Sequence, residues 1–508
     1  MASRDELVFG LVGPIGCPIH EAGDILADTL KKVDYKPIKI SLSAEMDRLL
    51  EAKAASIPAP EESELLTKIK KGNAIRSAFS NNSVLAAEAI RQIVTYRRDK
   101  AKAAGEEDDE KLGQIATVRL DEHAFIIDQL KRPEEIDLLV KTFSKRFVQV
   151  SVVTNLEKRR HSLISRLRSE QHGWTNEKCE SHADFLIGID QDERKDKRGQ
   201  QITKIFHLGD VFFDGENEAS LVSSSDRFVR AFFGRNNVAP TRDEFGSYMA
   251  KAASLRSVDL SRQVGAAITT KDGDIISVGC NEVPKFGGGN YWDEDTDKKR
   301  DIDMGGEANK NEVNRMVFDF LEVLKEQGIL PVEKSVEEIL QDESLKKAIK
   351  KSLVSKVTEY GRMVHAEMNA LTDAARLGRS VNGASIYVTT YPCHNCAKNL
   401  IASGINRIVF IEPYPKSKVE TLYKDIVASD SSDEPTVSIE HFFGISPRRY
   451  RDIFEKGSRQ NTDGEVAQWF HGKPSPQLGN IEVGVDGAEL FAIAENLYQN
   501  EPISPTKE

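Results

Sequence analysis

Apolar positions along the first part of the chain come in short, nearly continuous runs separated by amphipathic stretches. Leu7-Val8-Phe9-Gly10-Leu11-Val12-Gly13 reads as a buried strand running into a glycine-containing turn, and Ile19 to Val33 follows as an amphipathic helix. Pro37 to Leu42, Ala124 to Ile127 and Val148 to Thr154 predict further buried strands, with helices over Glu134 to Phe143 and Leu156 to Ser169. Such alternation predicts an α/β fold, a parallel sheet covered by helices. Charged, glycine-containing stretches at Ala101 to Gly113 and Gln191 to Gln201 read as loops.

The pattern changes at Ala239-Pro240-Thr241. Thr241-Arg242-Asp243-Glu244 is a capping box that predicts a helix to about Ser257, with Phe245, Met249, Ala252 and Ala253 inward. Two alternating runs, Val264 to Thr270 and Ile275 to Gly279, flank Lys271-Asp272-Gly273 and predict a hairpin. A long excursion follows from Val283 to Tyr360, with helices near Glu312 to Gln327 and Val336 to Val357; it forms either a helical layer over a site or an oligomer contact. Helices over Arg362 to Leu377, His394 to Ser403 and Lys416 to Ala428 alternate with strands at Ala384 to Thr390, Arg407 to Ile411 and Thr436 to Phe442. The expected result is a five-stranded mixed sheet, with an irregular tail from Ser446.

The length of 508 residues suits two or three domains, and a net charge of -11 disfavours broad coating of nucleic acid. With five cysteines, no secretory leader and no apolar run long enough to span a bilayer, the expectation is a reducing, cytoplasmic setting without membrane attachment. Cys17, Cys179 and Cys280 read as small buried side chains.

Two motifs carry chemistry. His365-Ala366-Glu367 and Pro392-Cys393-His394-Asn395-Cys396 form the H-x-E and P-C-x-x-C pattern of zinc nucleoside deamination. His365, Cys393 and Cys396 are the expected Zn2+ ligands, with a fourth position open to water, while Glu367 is the expected catalytic proton carrier. A structural site closed by His394 is the competing reading. In the first domain, Gly10, Gly13 and Gly16 lie where a strand turns into a helix, a way to present backbone N–H groups to a phosphate. No Gly-Lys-Ser/Thr follows, so a tight packing turn is the alternative. Asp128, at a strand end, suits either a nucleotide site or a plain turn, and Arg159, Arg160, Arg166 and Arg168 suit either phosphates or a solvated helix face.

Ser261-Arg262-Gln263-Val264-Gly265-Ala266, Asn281, the H-A-E triplet and Tyr391-Pro392-Cys393-His394-Asn395-Cys396 resemble the deoxycytidylate deaminases, in order. Phe125-Ile126-Ile127-Asp128-Gln129-Leu130-Lys131-Arg132-Pro133 is similar to P-loop nucleotide kinase-like domains. A fusion of the two resembles the bacterial anti-phage dCTP/dCMP deaminases. The resemblance implies a kinase-like domain over 1-235, a three-layer α/β/α deaminase domain over 236-445 with an insertion at 283-360, and an extension over 446-508. It further implies that Asn281 binds the sugar hydroxyl, that the Ala366 N–H faces the base carbonyl, and that Arg262, Lys416 and Ser417 contact phosphate. The expected partners are a deoxycytidine nucleotide substrate, a second nucleotide at the first domain, a small inhibitory RNA and further copies of the chain. Two other functions stay open at this level: a nucleic-acid deaminase, which would call for more aromatic residues than the 7% present, and a non-catalytic nucleotide-binding regulator.

Overall fold

The computed structural model describes residues 4–108, 111, 118–191, 193, 196–330, 333–352, 354–357, 360–414, 417–428, 436–479 and 488–497. It divides into two compact units, one of residues 1–244 with 441–508 and the other of residues 245–440.

The first unit is built on β1 (Leu7–Val12), β2 (Lys36–Ser41), β3 (His123–Asp128), β4 (Phe147–Val153) and β5 (Val211–Asp214). The spatial order is β2-β3-β1-β4-β5, all parallel, and Gly444–Ile445 adds an antiparallel edge beside β5. Every residue of β1 is buried, as a central parallel strand covered on both faces requires. Phe9 meets Phe228 and Phe232 edge-on at 6.4 Å, fastening the helix Glu218–Phe232 to the sheet. Arg97 is fully buried, with its Nε 3.1 Å from Glu6 and its guanidinium 3.4 Å from Glu489. A buried ion pair of this kind is costly to break from one side, about 3–5 kcal/mol. It ties the helix Ala488–Leu497 to the start of β1, so the tail read as an irregular extension returns, in its described part, to the first unit. The stretch 101–113 begins inside the helix Val84–Ala103, and residues 109, 110, 112 and 113 lie outside the described residues.

The second unit carries β6 (Gly265–Thr269), β7 (Ile275–Cys280), β8 (Ser385–Thr390), β9 (Arg407–Glu412), β10 (Val427–Ala428) and β11 (Val437–His441), in the order β10-β11-β9-β8-β6-β7. Among the described residues the sheet has six strands where five were expected. The helix expected over Lys416 to Ala428 spans only Val419–Leu422; the β-branched Ile426 and Val427 that follow extend the chain, and Val427 pairs with Val437. The excursion helices are Ala308–Glu326, Val336–Ile339 and Glu343–Lys351, because the Asp342 side chain caps a new helix inside the span expected to be continuous.

The capping box forms as expected: the Glu244 N–H donates to Thr241 Oγ1 at 3.1 Å, and Glu244 Oε2 accepts from the Thr241 N–H at 2.8 Å. The inward face of its helix differs. Phe245 is exposed and Met249 and Ala252 half-buried, while Ala253 is buried as expected, together with Gly246, Ser247, Ala250 and Ser254. Small residues take this face because the helix lies tight on the sheet, and a Cβ at Gly246 would enter the Tyr387 ring. On the other helix layer, Gly279 of β7 has a similar duty: a Cβ there would strike the Ala366 carbonyl and the Ala370 nitrogen.

Gly279→Ala therefore forces the helix bearing residues 366–376 off the sheet. The expected cost is about 1–3 kcal/mol, read as a fall of several degrees in thermal unfolding of the second unit, whereas Gly306→Ala, which meets open space, leaves the transition in place.

Candidate active site

Two helix starts meet at one end of the second sheet. His365 precedes the helix Ala366–Arg376 as its N-cap residue, and Cys393 precedes the helix His394–Ala402 in the same way, both with extended backbone. Glu367 and Cys396 are then carried in the first turns, as the spacing predicts. The strand-to-helix junctions are held by polar contacts. Glu282, just past β7, exchanges two backbone hydrogen bonds with Val364, at 3.2 and 3.1 Å. Its buried carboxylate accepts from the Val258 and Val283 N–H groups. Asn369, one turn after His365, donates its amide to the Cys280 carbonyl and at 3.4 Å to that of Val364. On the second side, Tyr391 N–H donates to the Glu412 carbonyl at 2.7 Å, and Ser417 Oγ donates to the Pro392 carbonyl at 2.8 Å.

These junctions place His365 Nδ1 at 3.4 Å from both Cys393 Sγ and Cys396 Sγ, and all three donor atoms lie within 4.8 Å of one another. With metal–sulfur and metal–nitrogen distances of about 2.3 and 2.0 Å, two ligands of one tetrahedral zinc ion stand about 3.5 Å apart, so the donor set fits that ion. Neither His394 nor Glu367 belongs to the cluster, so the closed site through His394 is not formed. The proton balance also fits a cation. Cys393 is pulled down to about 4 because the Cys396 thiol donates to it, with His365 adding to the effect. The same contacts push His365 up to about 8 and hold the proton on Cys396. His365, Cys393 and Cys396 would hold a cation in place of those shared protons, with both sulfurs as thiolates.

Glu367 is buried, at 4% exposure, and burial raises its carboxyl above the usual range. A carboxyl whose burial favours the protonated form, beside a histidine that favours the charged one, suits proton transfer in both directions. Ala366, fully buried, opens the helix, so its N–H has no acceptor within the helix.

The other expected residues fall as follows. Asn281 is buried and already spans the loop before β6: its Oδ1 accepts from Val264 N–H at 2.7 Å, and its Nδ2 donates to the Arg262 carbonyl at 2.9 Å. Arg262 is 40% exposed, paired with Glu412 at 2.8 Å and set over the Tyr414 ring at 5.6 Å. Ser417 is held by Pro392, and Lys416 lies outside the described residues. In the first unit, Gly10 is a packing residue, since a Cβ there would meet Leu130 and Phe147 within 2.8 Å. Gly16 and Asp128 line one cleft, and Asp128 is bonded to His20 at 2.7 Å. Glu282, Asn369, Glu412 and Tyr414 were not singled out from sequence. Of these, Asn369 had a legible signal, a polar residue four positions after His365 on the face that the helix buries.

Residues 240–412 match the model of the cytidine and deoxycytidylate deaminase zinc-binding region. The deoxycytidylate deaminase of Enterobacteria phage T2 is 51% identical over 55 residues, 11% of this chain and 29% of the phage protein. The deoxycytidylate deaminase of Mus musculus is 25% identical over 178 residues, 35% of this chain and 68% of the mouse protein. The dCMP deaminase of cyanophage S-TIM5, a solved structure, is 16% identical over 40% of this chain and 98% of its own, with a TM-score of 0.22. The chain thus spans less than a third of the phage T2 relative that it matches. Residues 240–412 are thus similar to the zinc-binding region of the cytidine and deoxycytidylate deaminases, and within them His365, Cys393 and Cys396 form the cluster that can hold the ion.

Proposed function

We propose that this protein deaminates deoxycytidine nucleotides, dCTP or dCMP, to their uracil counterparts, and that by consuming dCTP it limits phage replication. The observation that carries the reading is a buried carboxyl, Glu367, beside a cluster of three protein donors, one fewer than a tetrahedral ion takes. When bound, the zinc ion supplies the Lewis acidity that makes water a nucleophile at neutral pH. Glu367 accepts the proton that this water gives up and delivers it to N3 of the cytosine ring. Oxygen adds at C4, Glu367 then takes the proton of the new C4 hydroxyl and passes it to the exocyclic nitrogen, and the bond from C4 to that nitrogen breaks to release ammonia.

The remaining roles follow from position. The Ala366 N–H, free of helix bonding, faces the base carbonyl. Asn281 has donor capacity left after bonding the Arg262 carbonyl and takes the sugar hydroxyl. Arg262 exchanges Glu412 for a substrate phosphate, with the Ser417 hydroxyl beside it, a trade that its partial exposure permits. The helix Ala308–Glu326 leaves Phe320 and Val323 outward, which supports contact between copies of the chain.

Glu367→Gln is expected to keep a full zinc complement by elemental analysis and to slow ammonia release from dCTP and dCMP by about 10²–10⁴-fold. Release at near the wild-type rate would sink the mechanism. Cys393→Ser and His365→Ala, by contrast, are expected to lose the metal, and retention of one zinc per chain would remove them from the ligand set. Arg262→Gln is expected to raise KM for dCMP and dCTP about tenfold, as loss of one charged contact of about 1.5 kcal/mol implies, with cytidine turnover unchanged. Equal loss on cytidine would mean that Arg262 shapes the loop rather than binding phosphate. In cells, the wild-type chain should lower the dCTP pool and plaque counts where the Glu367→Gln chain does not; single-stranded DNA deaminated faster than free dCTP would replace this reading with a nucleic-acid enzyme.

A further inference from the structure

Asn369 lies one turn into the helix Ala366–Arg376, 7% exposed, with its own N–H on the His365 carbonyl at 2.9 Å. Side chains on a helix tilt toward its N-terminus, so this amide reaches back past His365. Its Nδ2 donates to the Cys280 carbonyl and, at 3.4 Å, to the Val364 carbonyl. These carbonyls belong to the residues just before Asn281 and just before His365. An amide nitrogen carries two hydrogens; both are committed here, and none is left to give to a substrate.

The Cys280 carbonyl takes such a donor because of where β7 lies. Among the described residues β7 is the edge strand of the second sheet, with β6 on one side and no strand on the other. The Asn281 N–H donates to the Val264 carbonyl at 3.2 Å, so residue 281 faces β6 and, by the alternation of an antiparallel ladder, the Cys280 carbonyl faces the open edge. Asn369 bonds it there from the helix side.

Toward β6 the same stretch is held by Asn281 itself, whose Oδ1 accepts from the Val264 N–H at 2.7 Å and whose Nδ2 donates to the Arg262 carbonyl at 2.9 Å. Asn281 is thus fixed to the loop before β6 by its own amide and to the helix that bears His365 and Glu367 by the amide of Asn369. The two backbone bonds between Glu282 and Val364 hold the junction one residue further on. They keep β7 and the helix start together without Asn369, but they do not fix the peptide between Cys280 and Asn281 against the helix.

We propose that Asn369 is a positioning residue: by fixing the Cys280–Asn281 peptide against the helix, it sets the distance between the sugar hydroxyl held at Asn281 and the base at Glu367. The inference rests on the deaminase reading and on Asn281 as the residue that takes the sugar hydroxyl, which in a deoxycytidine 5′-nucleotide is the hydroxyl at 3′. With Asn369 in place, binding of that hydroxyl carries the base to Glu367 and speeds the reaction. Without it, the hydroxyl is bound with the base out of register. A residue that served stability alone would lower the turnover of every substrate by the same factor.

The experiment measures kcat and KM of the full-length, zinc-loaded chain on dCMP and on 2′,3′-dideoxycytidine 5′-monophosphate, which lacks the 3′-hydroxyl. The wild type is expected to favour dCMP about tenfold in kcat/KM, as one hydrogen bond implies. In Asn369→Leu, close in volume and without a donor, that preference is expected to fall to about twofold or less, through kcat on dCMP, with the zinc content unchanged. Asn369→Ala, which adds no bulk, stands in if the leucine variant fails to fold. In an Asn281→Ala background, Asn369→Leu is expected to leave the ratio of the two substrates where it is. A preference for dCMP kept in the 369 variants, or an equal loss on both nucleotides, would overturn the role of Asn369 and leave the deaminase reading standing. A wild type that turns over both nucleotides equally would overturn the role as well, whereas no ammonia from dCMP with the wild type would remove the deaminase reading and this inference with it.

Discussion

A zinc cluster drawn from two sequence-distant segments depends on one constraint: two helices must begin at the same place, each with its first ligand in extended backbone just before the first turn. His365 and Cys393 meet that condition through their strands rather than through each other. The Ala366–Arg376 helix is seated on β7 at Gly279 and tied at its start by Asn369 and Glu282. The His394–Ala402 helix follows β8 through Tyr391 and Pro392, which Glu412 and Ser417 hold in turn. The 3.4 Å separations within the cluster rest on these supports together with the attraction between His365 and the Cys393 sulfur.

Much of this arrangement was legible because its chemistry is local. H-x-E and C-x-x-C report their own spacing, Thr241 and Glu244 report their own cap, and continuous apolar runs such as Leu7 to Val12 report parallel strands. The rest depended on partners far away in the chain. Phe245 looked like core because it is large and apolar, whereas the sheet demanded the smallest residues on that face, a requirement visible only once Tyr387 stands opposite Gly246. The helix Glu64–Ala78 gave no clear amphipathic stripe because its buried positions include Gly72, Asn73 and Arg76. Arg76 is kept inside by Glu135, from another helix, and no local pattern announces such a pairing.

The glycine turn after β1 illustrates the same limit from the opposite side. Its glycines were readable, and so was the missing lysine, but the carboxylate that occupies the turn comes from Asp190 and its counter-charge from Lys131, on separate elements. A turn of this form has thus been stabilised by internal charge where related geometry elsewhere is stabilised by a ligand. The low-dielectric setting makes the substitution durable, since breaking the pair from either side leaves an uncompensated buried charge.

The two backbone bonds between Glu282 and Val364 have a separate consequence. They bring the start and the finish of the whole 283–360 excursion together, so its length and content are decoupled from the position of His365. Because the closure cost of a loop grows only with the logarithm of its length, such a segment behaves as an exchangeable cassette. It can be lengthened, shortened or refashioned in evolution while the ligand frame keeps its geometry, which separates the part of the domain free to change its surroundings from the part that must stay constant.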